Sequence, residues 1–180
     1  MVFDSISIEK AYRIMHPRQV VLITTINKNN EPNVAPIAWN MPLSHKKSYV
    51  AISVAKIHKT HENILATQEF VMNFPEIDLA NAVMICASKE PDKIKKSKLT
   101  ISPSKITKTP KINECYAHME CRLKDKVDLF DHTLFIGECV YADFKSGSFD
   151  KFKLSVSKVR PLYHIGEKSF VSLDKTSIEL

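Results

Sequence analysis

The sequence predicts a mainly β fold, an antiparallel barrel with helices packed on its outside or capping its ends. Three observations carry this. Segments with strand chemistry outnumber those with helical periodicity. Connections between successive strand signals are short, which suits hairpins. Few stretches are long enough for the crossover helices of a parallel sheet. With 180 residues and 44% hydrophobic content, the chain can bury a real core and reads as one domain over 1–180.

The first element is a short amphipathic helix from about Ile8 to Met15, with Ile8, Ala11, Tyr12 and Met15 on one face and Ser5 or Ser7 as cap. "HPR" (His16 to Arg18) ends it. "VVLITTI" (Val20 to Ile26) is a β-branched run of strand length, and "NKNNEP" is turn chemistry, so Pro32 to Trp39 is expected to return as a hairpin partner. "YVAISVA" (Tyr49 to Ala55) is a third strand. "HKTHENILATQ" (His58 to Gln68) lacks strand alternation but offers Thr60 as a cap and an Ile64, Leu65 stripe, which predicts a helix starting near Thr60.

"EFVMNF" (Glu69 to Phe74) is a strand closed by Pro75, and "DLANAVMICAS" (Asp78 to Ser88) fits a helix capped by Asp78 that buries Leu79, Val83 and Cys86. Two long β signals follow, "CYAHMECRLKDKVD" and "HTLFIGECVYADF", joined by "LFD". A final pair, "PLYHI" and "SFVSL", is expected to hold the tail down.

The start of the chain carries two acidic residues before Lys10 and no long apolar run, so it reads as neither signal peptide nor membrane span, and a soluble cytoplasmic protein is expected. The four cysteines (Cys86, Cys115, Cys121, Cys139) are too few for a disulfide framework and read as buried thiols. The formal charge of +6 is local. Lys89 to Lys111 holds eight lysines against Glu90 and Asp92, which accounts for all of it. With no arginine and no aromatic residue, that stretch lacks the forked donors that read base edges and the platforms that stack single strands. It reads as a solvated loop or short helix rather than an anion patch.

Only three glycines, Gly137, Gly147 and Gly166, are present, too scattered for a dinucleotide fingerprint or a P-loop. No serine nucleophile elbow occurs. Cys115, His118 and Cys121 have metal-like spacing, but on a strand the two cysteines would point one way, about 20 Å apart, and His118 the other. No metal site is expected.

Two local features invite a ligand. Helix N-termini bind phosphate through unpaired N–H groups and a partial positive charge. "HKTHEN" puts Lys59 and Thr60 at such a terminus with His58 and His61 beside it, directly after the strand holding Ser53. An ordinary capping threonine is the plainer alternative. The second feature is "EPNVAPIAWNMPLS" (Glu31 to Ser44), with three prolines and the single tryptophan. Proline removes a ladder donor and fixes φ, so this piece suits neither a helix nor a central strand, and some of its backbone groups stay free for a ligand.

"HPRQVVLITTINKNNEPNVAPIAWNMPLS", "YVAISVAKIHKTHENI", "EFVMNFP" and "DHTLFIGECV", in this order and spacing, resemble the flavin reductase-like proteins with an FMN-binding split barrel, a group that includes flavoredoxins and ferric or flavin reductases. The resemblance runs from about Ala11 to Tyr141. It implies that Asn33, Ala35, Pro36, Ile37, Ala38, Trp39 and Asn40 run along the flavin ring, with backbone groups bonding its polar edge. Trp39 would either wall the pocket or serve as core or interface. It further implies that Ser53, Lys59 and Thr60 hold the ribityl phosphate, with Val54, Ala55, His61 and Asn63 adjoining.

His132 matches a histidine near the flavin and is the catalytic candidate, by bonding the cofactor or seating the nicotinamide; the plainer alternative is a polar residue opening a strand. Tyr163 and Gly166 match the family's closing segment. The implied function is an FMN-dependent oxidoreductase that takes electrons from NADH or NADPH, working as a homodimer with FMN near the interface. Variants of it are a flavoredoxin-like carrier reduced by a redox partner protein and a barrel without redox activity. From a different class, the lysine-rich segment leaves a nucleic-acid or other anion-binding module as the alternative.

Overall fold

The computed structural model describes residues 1–174. A 3-10 helix spans Ile8–Met15. The strands are β1 (Arg18–Gln19), β2 (Val21–Ile26), β3 (Pro32–Ile37), β4 (Asn40–Pro42), β5 (Tyr49–Ala55), β6 (Glu69–Phe74), β7 (Ile101–Ser102), β8 (Lys111–Ile112), β9 (Ala117–Leu129), β10 (His132–Phe144), β11 (Phe149–Asp150), β12 (Lys153–Leu154), β13 (Tyr163–Gly166) and β14 (Ser169–Val171). Three α-helices are interleaved: α1 (Lys59–Thr67), α2 (Ala80–Ala87) and α3 (Lys93–Lys96).

Seven strands form one antiparallel sheet in the order β3-β2-β6-β9-β10-β5-β4. Its two edge strands, β3 and β4, are separated in the chain by Ala38 and Trp39 alone. The three Cα–Cα steps from Ile37 to Asn40 reach at most about 11 Å, so the edges of this sheet must come together, and it curls into a split barrel. The proline-rich stretch therefore occupies an edge and crosses the seam. Pro32 and Pro36 sit where a missing N–H costs no ladder bond.

Both faces of the sheet are covered. On one face, side chains of five strands (Val21 and Ile23, Ile52 and Val54, Phe70 and Met72, Cys121, Phe135) converge with Ile64 of α1. On the other, Leu22 and Val34 pack with Val83 and Cys86 of α2 and with Ile112 and Leu162. Every residue of β2 is buried in consequence, which explains why "VLITTI" reads as a β-branched run and not an alternation of apolar and charged residues.

Some local expectations are corrected. The segment Ile8–Met15 is a 3-10 helix that buries none of its residues, and its Ser7 cap makes no side-chain bond. Asp78 lies in a 3-10 turn, Ile77–Leu79, so α2 begins at Ala80 without an Asp78 cap, and Leu79 is only half-buried. Cys115 belongs to the turn before β9 and to the α2-side core, whereas Cys121 lies in the other. His118 is buried between Asp143 (2.6 Å) and the Ile112 carbonyl (2.7 Å). Among the described residues no three histidine, cysteine or acidic side chains group as metal donors, and no helix is long and apolar enough to cross a membrane.

The lysine-rich segment contains a short helix, one of the two forms expected of it, and more besides. It holds α3 and the small β7–β8 ladder. It is tied down by Glu120, which is 1% exposed and accepts from the amides of Lys105 (2.6 Å), Ile106 (2.8 Å) and Thr107 (2.7 Å).

Candidate functional site

A cavity of about 300 Å³ opens at the barrel seam. One wall is made by Pro36, Ile37, Ala38 and Trp39, where β3 gives way to the crossing, and by Ser53, Ala55 and His132 from β5 and β10. Ser53 is placed by the seam itself, because its amide donates to the Trp39 carbonyl at 2.9 Å. Trp39 is 37% exposed and stacks on His132 with ring centroids 4.9 Å apart. His132 Nδ1 lies 2.9 Å from Asp131 Oδ1, and this hydrogen bond holds the Asp131 carboxyl below its ordinary range.

The remaining predicted residues do not line the cavity. Asn40 is occupied by the chain: its Nδ2 donates to the carbonyls of Gln19 (3.0 Å) and Ile37 (3.3 Å), which fixes the turn out of β3. Ala35 sits mid-way along β3 and is half-buried. Val54 is buried in the barrel core. Asn63 is buried and donates to Thr25 Oγ1 at 3.0 Å.

The start of α1 differs from expectation in a telling way. The helix begins at Lys59, with His58 in the capping position and no side-chain cap. Thr60 lies two residues past the cap position. Its hydroxyl is buried and accepts from Asn33 Nδ2 at 3.1 Å, tying edge strand β3 to the helix. Lys59 is exposed, and His58 joins this terminus to the cavity. Burial, and then the positive charges of Lys93, His132 and Lys89, hold His58 below the usual histidine range. His61 is lowered by burial against the opposing pull of Asp128. Its Nε2 meets Thr133 Oγ1 at 2.9 Å, and that hydroxyl donates to Asp128 at 2.8 Å. The imidazole therefore carries its proton on Nε2.

The opposite wall was missed by sequence reasoning, apart from Gly166. It comprises Tyr12, Arg13, His16, Arg18, His164 and Glu167. Pairing of β1 with β13 sets Arg18 opposite His164. The Arg18 guanidinium lies 5.5 Å from the Trp39 ring centroid and 5.7 Å from that of Tyr12. One of its terminal nitrogens donates to His16 Nε2 at 3.2 Å, while its buried Nε has no partner. Gly166 has φ +129°, a conformation that L side chains rarely adopt. Tyr163 does not reach the cavity lining. The local signal available was the density of cationic and imidazole groups in "HPR" and "YHIGE".

The chain can be placed among known proteins on this geometry. Residues 12–170 match the flavin reductase like domain. An uncharacterized protein of Pyrococcus abyssi is 31% identical over 164 residues, spanning 91% of this chain and 94% of that one. One from Archaeoglobus fulgidus is 34% identical over 144 residues, spanning 76% and 80%. Among solved structures, nitrilotriacetate monooxygenase component B from Bacillus cereus superposes with a TM-score of 0.89 at 20% identity, covering 100% of this chain and 98% of that chain. Flavoredoxin of Desulfovibrio vulgaris gives 0.82 at 19% identity, with 91% of each chain covered. An FMN-binding protein from Thermus thermophilus gives 0.83 at 19%, covering 100% and 99%. The structural likenesses establish the fold as that of the FMN-binding split barrels; with the sequence match over 12–170, the chain belongs to the flavin reductase like domain family.

Proposed function

We propose that this protein is an FMN-binding oxidoreductase that passes electrons from NADH or NADPH through the flavin to an acceptor, which is free flavin, ferric iron or a redox partner protein. The observation that carries this reading is one cavity with two kinds of end. At the seam it is aromatic and bordered by edge backbone (Pro36 to Trp39); at His58 it meets the N-terminus of α1 with Lys59 beside it. A ring system with a phosphate tail requires this pairing.

Bound flavin would supply the hydride and electron chemistry. The residues of the chain position it. Lys59, the first amides of α1 and Ser53 hold the phosphate, and His61 adjoins them. Thr60 and Asn33 lock the phosphate end to the β3 edge through their 3.1 Å bond. Asn40 fixes the turn after Ile37, so the edge groups of Ala35 to Ala38 present a stationary row of donors and acceptors. Val54, Ala55 and Asn63 support this surface from β5 and α1. Asp131 orients His132, whose Nε2 is left to bond the cofactor or seat the nicotinamide. Arg13 and Arg18 on the far wall favour anionic partners such as a nicotinamide dinucleotide.

In this reading the protein is cytoplasmic, the single barrel domain pairs as a homodimer, and the lysine-rich segment serves the barrel rather than a nucleic acid. Three of its eight lysines are already engaged, Lys93 with the Cys86 carbonyl, Lys96 with Glu90 and Lys111 with Asp143.

The test is the visible spectrum of the protein after FMN loading and desalting, repeated anaerobically with NADH and with NADPH. A retained flavin spectrum that bleaches with one nicotinamide is expected and names the donor. Retained colour that neither bleaches assigns a carrier, and no bound flavin at any concentration overturns the reading.

A further inference from the structure

Cys121 and Cys139 lie directly opposite each other on β9 and β10. The Cys139 amide donates to the Ser48 carbonyl at 3.2 Å, on the side of β10 that faces away from β9. In an antiparallel ladder the N–H and C=O of one residue point the same way, so this pair is of the closely spaced, non-hydrogen-bonded kind, with Cα atoms about 4.5 Å apart. That spacing is within reach of a disulfide. Both side chains share a face: Cys121 is fully buried in the barrel core, and Cys139 packs against that core while remaining partly exposed. Gly137 lies on the same face, where the Phe70 ring and Cys121 Cβ close on its backbone. A register shift between Cys139 and Tyr141 interrupts the ladder at the same place. Cys86 and Cys115 belong to the other core, and no cysteine lines the seam cavity.

We propose that Cys121 and Cys139 form a dithiol that closes to a cross-strand disulfide, a two-electron redox site distinct from the flavin cavity, with hydrogen peroxide as its oxidant. The Cys139 thiolate attacks a peroxide oxygen, the O–O bond breaks, and hydroxide leaves a sulfenic acid on Cys139. The Cys121 thiol then attacks that sulfur; the S–S bond forms, the S–O bond breaks and water departs. Two electrons pass from the thiols to the peroxide, and the two thiol protons end in two waters. The roles follow from position, since only Cys139 is open to solvent. Electrostatics agree: interaction with the neighbouring Cys121 thiol holds Cys139 below the usual thiol range, while that same contact and burial push Cys121 well above it.

The experiment treats the folded, full-length protein with stoichiometric hydrogen peroxide, blocks remaining thiols and maps tryptic peptides by mass. Two of the four thiols are expected to disappear, with a mass lower by two hydrogens, a peptide link from Cys121 to Cys139, and full recovery with dithiothreitol. Because Cys115 shares a tryptic peptide with Cys121, Cys115→Ser is included and should still close the link, whereas Cys139→Ser should keep all its thiols. Sulfinic acid at Cys139 with Cys121 still alkylatable, a link to Cys115 or Cys86, or four unreacted thiols would each overturn the proposal.

Discussion

Trp39 and His132 stack across the barrel seam, ring centroids 4.9 Å apart and planes inclined by 24°, although one lies in the crossing between edge strands and the other opens β10. The contact couples the segment proposed to border the flavin ring to the residue proposed to meet the reacting partners. His132→Ala is expected to change the anaerobic rate of flavin reduction by about tenfold or more, with a much smaller change in FMN affinity. Stopped-flow reduction beside an FMN titration checks this, and unchanged rates remove His132 from the site.

The phosphate assignment separates two ligands that differ by one group. Lys59→Ala should weaken FMN binding by roughly tenfold or more, the size of a lost charge-assisted contact, and leave riboflavin affinity little changed. Flavin fluorescence titrations measure both; equal losses would mean that the α1 terminus does not hold the phosphate.

Glu120 makes a prediction about acid. Burial alone pushes its carboxyl up, but the amides of Thr107, Lys105 and Ile106 outweigh burial and hold it below the ordinary value. A depressed folded-state pKa contributes stability that is present above the unfolded value, near 4.3 for glutamate, and is lost as pH falls through the folded one. Urea denaturation from pH 7 to pH 3 should therefore show a loss that Glu120→Gln removes in large part. At pH 7 the substitution should cost about 1–3 kcal/mol, because it leaves buried amides poorly paired. A variant with the parent's acid profile would show that the carboxylate carries no such linkage.

Gly137 is required by packing, not by turn geometry. A Cβ there would sit 2.5 Å from Phe70 Cζ and 3.2 Å from Cys121 Cβ, and Phe70 is fully buried with no room to yield. Gly137→Ala should destabilise the fold by about 1–3 kcal/mol, an overpacking cost. Thermal melts would register it, and an unaltered Tm would mean the core repacks freely.

Most strands were legible because β-branched runs and turn residues act locally: Val20 to Ile26, Tyr49 to Ala55 and Glu69 to Phe74 fall within a residue of β2, β5 and β6. That Trp39, Ser53 and His132 would come together at one cavity was legible too, by resemblance. What was not legible depends on distant partners. Thr60 reads as a cap from its neighbours, and only the approach of Asn33 turns its hydroxyl inward. Arg18 and His164 meet through β1–β13 pairing between the two ends of the chain, for which no local pattern exists. The facing of Cys121 and Cys139 depends on register shifts at Ile136/Gly137 and Cys139/Tyr141, and a slip of one residue would have put the thiols on opposite faces.

The seam has a further consequence, for solubility. An edge strand with unpaired backbone groups is a template on which a second molecule can add its own strand, and β3 is such an edge. Pro32 and Pro36 deprive it of two donors and fix its twist, so it makes a poor seed for intermolecular sheet growth. The residues that make this stretch an awkward strand thus let the protein keep an open edge without that edge recruiting a neighbour.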